Sequence, residues 1–261
     1  MLRILMLGDV VGRPGRTAVS RHLPRLIEEH QPEIVIANGE NAAGGLGINK
    51  GTAVPLFDAG VNVITLGNHV WTQQGMNELL GSEPRIIRPA NLPPGLPGRG
   101  FGVFKTKDGN KIGVMNLLGR TFMEPVDDPF RATDAIVREI QRETPVIVVD
   151  IHAEATSEKA AIAWYLDGRV SAVLGTHTHI PTCDERVLPG GTAFLTDIGM
   201  VGPRDSILGM KVDVVVERFR TQVKQKFEVA SGPAILSGVI IDVDNQTGRA
   251  SSISRVSVIE D

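Results

Sequence analysis

Five short apolar runs each break off in a polar residue, and this recurrence limits the folds open to the chain. Ile4–Leu7 runs into Gly8-Asp9, and Ile34–Ala37 into Asn38-Gly39-Glu40-Asn41. Val61–Leu66 runs into Gly67-Asn68-His69, Val146–Ile151 into His152, and Val170–Leu174 into Gly175-Thr176-His177-Thr178-His179. Short runs with little alternation read as strands buried on both faces. Between the first two, Pro14 can open a helix. It carries Ala18, Val19, Leu23, Leu26 and Ile27 at helical spacing and ends near His30, ahead of Pro32. A second, short helix ends near Ala59, with Gly60 as its stop. The opening is thus βαβαβ, which implies parallel strands. Ligands of such sheets bind beyond the carboxyl ends of the strands, so the five polar tips are expected to converge.

The middle of the chain changes character. Pro89–Gly102 is dense in proline and glycine and reads as a loop. Phe101–Lys107 and Lys111–Leu117 flank Asp108-Gly109-Asn110 as a hairpin, and Pro129–Arg142 is an amphipathic helix. Ser157–Leu166 is a short helix between the last two apolar runs. Lys226–Val229, Ile235–Val243 and Arg249–Val258 alternate like antiparallel strands, with a turn at Asn245–Gly248. Two sheets packed face to face, or one long mixed sheet, both satisfy this pattern. No repeat or polar linker divides the chain, so residues 1–261 are expected to form one domain.

Bulk properties narrow the function. At 42% hydrophobic residues the chain can bury a sizeable core. A net charge of -3 argues against an extended nucleic-acid surface. It leaves room for a small phosphate ligand, because bound metal ions supply positive charge locally. The single cysteine, Cys183, fits a reducing cytoplasm and has no evident base partner, so it reads as structural. No apolar run approaches the ~18 residues of a membrane span. His22 and His30 read as surface residues of the first helix. Any homo-oligomer would use globular surfaces, since no heptad pattern is present.

The five tips carry the donor types of a hydrolytic metal centre. Asp9 is placed to hold a hard cation, Glu40 can bridge two ions, and Asn41 and Asn68 offer neutral amide oxygens. His152 follows a very apolar strand. His177 and His179, two residues apart on an extended segment, point to one side. Two ions ~3.5–4 Å apart would hold a hydroxide that attacks phosphorus in line. The leaving oxygen then needs a proton, and His69 is the residue chosen to give it. Gly44-Gly45-Leu46-Gly47 could approach a phosphate through backbone N–H groups, with Arg13 and Arg120 as further anion contacts.

The set Gly8-Asp9-Val10-Val11-Gly12, Asn38-Gly39-Glu40-Asn41-Ala42, Leu66-Gly67-Asn68-His69, Asp150-Ile151-His152-Ala153-Glu154 and Gly175-Thr176-His177-Thr178-His179 resembles the calcineurin-like metallophosphoesterases. It is most similar to their YmdB-like bacterial branch, as is Thr196-Asp197-Ile198-Gly199-Met200. Departures from the wider superfamily are the missing histidine two residues after Asp9, glutamate at position 40, and Val70 after His69. The YmdB-like branch shares the first two. The resemblance implies an α/β (α+β) metallophosphoesterase fold, a four-layer αββα sandwich of two mixed sheets flanked by helices. It implies one metal on Asp9, Glu40, Asn41 and His179, a second on Glu40, Asn68, His152 and His177, and His69 as proton donor. Iron or manganese is implied first, with zinc and magnesium possible. The implied reaction is hydrolysis of cyclic nucleotides, notably 2′,3′-cyclic AMP. A phosphomonoesterase or protein phosphatase, and a non-catalytic nucleotide-binding regulator, are the competing readings.

Overall fold

Strands buried on both faces must pack something on each, and the computed structural model, which describes residues 1–261, shows what. Its strands are β1 (Leu2–Val10), β2 (Ile34–Asn38), β3 (Val63–Thr65), β4 (Ile86–Ile87), β5 (Phe101–Lys105), β6 (Lys111–Leu118) and β7 (Ile147–His152). They continue with β8 (Ala172–Thr176), β9 (Arg186–Val187), β10 (Ala193–Leu195), β11 (Met200–Pro203), β12 (Ala234–Val243) and β13 (Ala250–Ile259). The helices are α1 (Gly12–His30), α2 (Lys50–Asp58), α3 (Met76–Ser82), α4 (Pro129–Ile140), α5 (Thr156–Tyr165) and α6 (Val212–Thr221).

A seven-stranded sheet runs β13-β12-β11-β1-β2-β3-β4, and a six-stranded sheet runs β5-β6-β7-β8-β10-β9. Both are mixed: β1 to β4 and β6 to β8 are parallel, whereas β12 and β13 and the hairpin β5–β6 are antiparallel. Side-chain alternation builds three cores from one set of strands. On β1, Ile4 and Met6 join Ile36, Val148 and Leu174 in a core made from both sheets. Leu5 and Leu7 of the same strand instead pack with Val19, Leu23 and Leu26 of α1. Across the molecule Ile147 and Val149 of β7 pack with Val137 of α4 and Ile162 of α5. The layers are helix, sheet, sheet, helix, which selects two face-to-face sheets over one long sheet. No helix is long and apolar enough to cross a membrane.

Parallel register sets the strand ends level. Asp9 pairs with Asn38, and Asn38 with Thr65, in one sheet. Leu118 pairs with His152, and His152 with Thr176, in the other. The polar tips of both sheets therefore open at one edge of the sandwich.

Several expectations need correction. Lys226–Val229 makes no strand; only Val229 forms an isolated bridge, to Met210. β11 was not expected; it inserts between the ends of β1 and β12, which pair directly with each other over Leu2–Leu7. Cys183 is exposed, so it contributes no core packing. Arg120 pairs with Asp128 at 3.2 Å, and Arg13 lines a cleft with Arg21 and Glu260 that contains none of the strand-tip residues.

Candidate metal centre

β1 delivers Asp9 fully buried, because its carboxylate follows a strand covered on both faces. Its Oδ2 accepts the amide of His177 at 3.1 Å. Past β2, the chain turns through Gly39 and places Glu40 and Asn41 inside, 1% and 3% exposed. The loop behind them takes left-handed backbone at Gly44, Gly45 and Gly47. There Asn41 Nδ2 donates to Gly45 O at 2.9 Å, and Gly45 N–H donates to Asn41 O at 3.1 Å. The glycine loop thus orients Asn41, and the amide of Gly45 is not free for a phosphate. The guanidinium of Arg16 also donates to Ala42 O, which ties the loop to α1.

His152, at the end of β7, is the centre of the constellation. Its Nε2 lies 3.0 Å from Glu40 Oε1, 3.1 Å from Asn68 Oδ1 and 3.0 Å from His177 Nδ1. One imidazole nitrogen carries at most one proton or one lone pair, so it cannot satisfy all three partners. Groups that bind one ion at about 2.1 Å and at right angles stand about 3.0 Å apart, the spacing of an octahedral site. Glu40, His152 and His177 form a group able to hold a metal ion. Two of the five buried side-chain oxygens without a hydrogen-bond partner, Asp9 Oδ1 and Asn41 Oδ1, belong to this site as well. Such orphans are rare in folded proteins, and a cation is one ligand that satisfies them. Asp9 Oδ1 is 3.9 Å from His179 Nε2, too far for a hydrogen bond. The donor set and its spacing fit metal ions.

Neighbouring groups fix which nitrogen each ring offers. Thr176 Oγ1 donates to Asp150 Oδ1 at 2.7 Å and accepts from His152 Nδ1 at 2.8 Å. That arrangement leaves Nε2 of His152 facing Glu40 and Asn68, where loss of its proton would free a lone pair for an ion. His179 Nδ1 donates to Leu208 O at 3.0 Å, so its Nε2 lone pair faces Asp9. Asp150 is held in turn by Thr65 and by Asn38, whose Nδ2 donates to Oδ2 at 3.0 Å. Sequence reasoning missed Asp150, Thr176, Thr65 and Asn38. The available signal was a buried aspartate inside the apolar run of β7, two residues before His152 and hence on the same face.

The electrostatics favour a cation. Burial pushes the Asp9 carboxyl up to about 6, against the pull of His179 and His152. Burial also works against the charge on Glu40, but His152 and His69 outweigh it and hold the carboxyl well below its usual range. On His152 burial is overcome by Glu40, Asp9 and Asp150, which push the imidazole up to about 9. Burial and the neighbouring His152 push His177 down to about 3, leaving it neutral, the form that binds metals.

His69 lies beside this group. Its backbone N–H donates to Glu40 Oε2 at 3.2 Å, and its Nδ1 is 3.2 Å from Glu40 Oε1. Its side chain is 31% exposed, whereas that of His152 has no exposed surface. All eight sequence-selected residues therefore lie at one edge: Asp9, Glu40, Asn41, Asn68, His69, His152, His177 and His179.

The sequence profile of YmdB-like proteins matches residues 5–256. The chain belongs to the YmdB-like family. A 2′,3′-cyclic-nucleotide 2′-phosphodiesterase of Bacillus subtilis is 47% identical to this family member over 260 residues, covering 100% of this chain and 98% of that protein. The crystal structure of a Thermus thermophilus protein superposes with a TM-score of 0.94 at 44% identity, covering 100% of both chains. That of a Mycoplasma pneumoniae phosphatase gives 0.93 at 34% identity, covering 100% of this chain and 94% of the other. The YmdB-like chain thus has the metallophosphoesterase fold.

Proposed function

We propose that this protein hydrolyses the phosphodiester bond of cyclic nucleotides, 2′,3′-cyclic AMP first, with two metal ions per chain. The observation that carries the reading is the crowding of His152 Nε2 by Glu40, Asn68 and His177 at 3.0 to 3.1 Å. The activity named for the Bacillus subtilis relative supports the substrate class.

In this reading Asp9, Glu40, Asn41 and His179 hold one ion, and Glu40, Asn68, His152 and His177 hold the other. Carboxylate, amide and imidazole donors without thiolate suit manganese or iron, and also accept zinc or magnesium. Metal ions bound there supply Lewis acidity toward the phosphoryl oxygens and acidify water. The chain does the rest. Glu40, anchored by two contacts from His69, keeps its carboxylate between the two ligand sets. His69 reaches solvent and gives its proton to the departing ribose oxygen. Cleavage of the bond to O2′, as in the name of the relative, leaves a 3′-phosphate.

The test is a product screen with metal-depleted protein reloaded with Mn²⁺. Hydrolysis of 2′,3′-cyclic nucleotides is the expected result. Protein that binds manganese yet turns over neither 2′,3′- nor 3′,5′-cyclic nucleotides overturns the proposal. The Mycoplasma pneumoniae relative is described as a phosphatase, which favours a phosphomonoesterase as the second reading. Faster hydrolysis of p-nitrophenyl phosphate than of bis-p-nitrophenyl phosphate selects it.

A further inference from the structure

Lys159 is the largest side chain with no exposed surface, and it carries an amine. From α5 its Nζ donates to Asp197 Oδ2 at 2.7 Å, and both partners are wholly buried. A buried ion pair of this kind generally stabilises a fold no better than apolar side chains of the same volume. Its contribution is sought in geometry.

Asp197 gathers donors from three parts of the fold. Oδ2 also accepts Thr178 N–H at 3.1 Å and Thr178 Oγ1 at 2.7 Å. Oδ1 accepts Gly199 N–H at 2.8 Å. Gly199 O in turn accepts the amide of Asp9 at 3.1 Å. Thr178 sits between His177 and His179, and both histidines have left-handed backbone, with φ of 98° and 67°. Residues with a Cβ hold that conformation only where the surroundings over-determine it. The main chain of Asp197 adds to the constraint: its N–H donates to Thr182 Oγ1 and its O accepts Thr182 N–H, each at 3.0 Å. The stem of Lys159 reaches the aspartate by crossing Gly175, where a Cβ would stand 2.8 Å from Lys159 Cδ and 1.7 Å from Thr196 O. These contacts account for the Thr196–Met200 segment, which the proposed reaction does not otherwise use.

We propose that the Lys159–Asp197 pair is a positioning clamp: it holds the His177–Thr178–His179 turn and, through Gly199, the Asp9 strand end in the arrangement that binds metal. The proposal rests on reading the strand-tip cluster as a metal centre. Without the pair, Thr178 loses its anchor and the two histidines relax out of their left-handed conformations.

The test is calorimetric titration of metal-depleted protein with Mn²⁺, together with the melting temperature of the metal-free form. The double variant Lys159→Met/Asp197→Leu replaces the pair by apolar groups of similar size. The expected result is a metal-free melting temperature at or above wild type and Mn²⁺ binding weaker by about 10- to 100-fold, the usual effect of losing partners that orient ligands. Wild-type Mn²⁺ affinity in the folded double variant overturns the clamp. If the double variant does not fold, Thr178→Val decides, because it removes one donor from a half-buried position and keeps the shape. Its Mn²⁺ affinity is expected to fall several-fold, and wild-type affinity there overturns the clamp. A wild-type protein that binds no manganese overturns the metal reading itself and the clamp with it, so the two failures are distinct.

Discussion

Glu40 Oε2 lies 2.0 Å from where a Cβ on Gly67 would be, and the His152 ring lies 2.4 Å from the same point. The backbone before Asn68 therefore runs directly against the two side chains at the heart of the site, and only glycine leaves room. Gly67→Ala must displace Glu40 or His152, both buried and unable to swing into solvent. We expect turnover of cyclic nucleotides to fall by more than about 100-fold, since misplacement by an ångström is that costly at a reacting centre. Steady-state kinetics on Mn²⁺-loaded protein check this. Activity within a few-fold of wild type would mean that Glu40 has no fixed position.

His69 approaches Glu40 through its backbone amide and its Nδ1 while a third of its side chain reaches solvent. His69→Ala keeps the backbone donor and removes the imidazole. The expected outcome is retained Mn²⁺ stoichiometry with kcat reduced by about 10²- to 10⁴-fold on 2′,3′-cyclic AMP, the usual range for a lost general acid. The loss should be much smaller on bis-p-nitrophenyl phosphate, whose leaving group needs no proton. Equal losses on both substrates would remove the imidazole from proton transfer.

Most of the site was legible because each functional side chain closes an apolar run, and a run buried on both faces has one place to end. The convergence of Glu40, Asn68 and His152 followed from that rule, whereas their division between two ions came from the family resemblance. The groups that orient them did not follow from local pattern. Thr176 reaches Asp150 and His152 through the register of β7 against β8, and Asn38 reaches Asp150 from the other sheet. Strand register between distant segments leaves no mark within a short window. β11 was missed for a related reason: a four-residue segment containing Gly202 and Pro203 becomes a strand only because it inserts between the ends of β1 and β12.

Asp150 is expected to control His152 through Thr176. Burial pushes its carboxyl up, but Thr65, Thr176 and Asn38 all donate to it, so it serves as a pure acceptor. Asp150→Asn introduces an NH₂ that must face one of those donors whichever way the amide turns. The clash costs about 1–3 kcal/mol of stability. It also frees Thr176 to rotate and His152 to change tautomer, weakening Mn²⁺ binding by about 10- to 100-fold. Urea unfolding and Mn²⁺ titration measure the two effects. A variant as stable as wild type with unchanged Mn²⁺ affinity would show that the network does not orient His152.

Glu260 ties the C-terminal end of β13 to α1 and to the start of β12. Its Oε1 meets Arg21 at 2.7 Å and His22 at 2.8 Å, and its Oε2 accepts Ala234 N–H at 2.9 Å. The hydrogen bond with His22, then that from Ala234, and then the charge of Arg21 hold the carboxyl below its usual range. Arg21 is 61% exposed, so solvent screens much of its share. A carboxylate with a folded pKa below its unfolded value of about 4.3 adds stability above that value. The contribution fades as pH falls through the lower folded pKa. Glu260→Gln is therefore expected to cost about 1 kcal/mol at neutral pH, the worth of a hydrogen bond of this type. The gap to wild type should close in acid, below the unfolded carboxylate pKa of about 4.3. Urea unfolding of both proteins across that range measures it, and a gap independent of pH would mean that the carboxylate charge contributes nothing to this anchor.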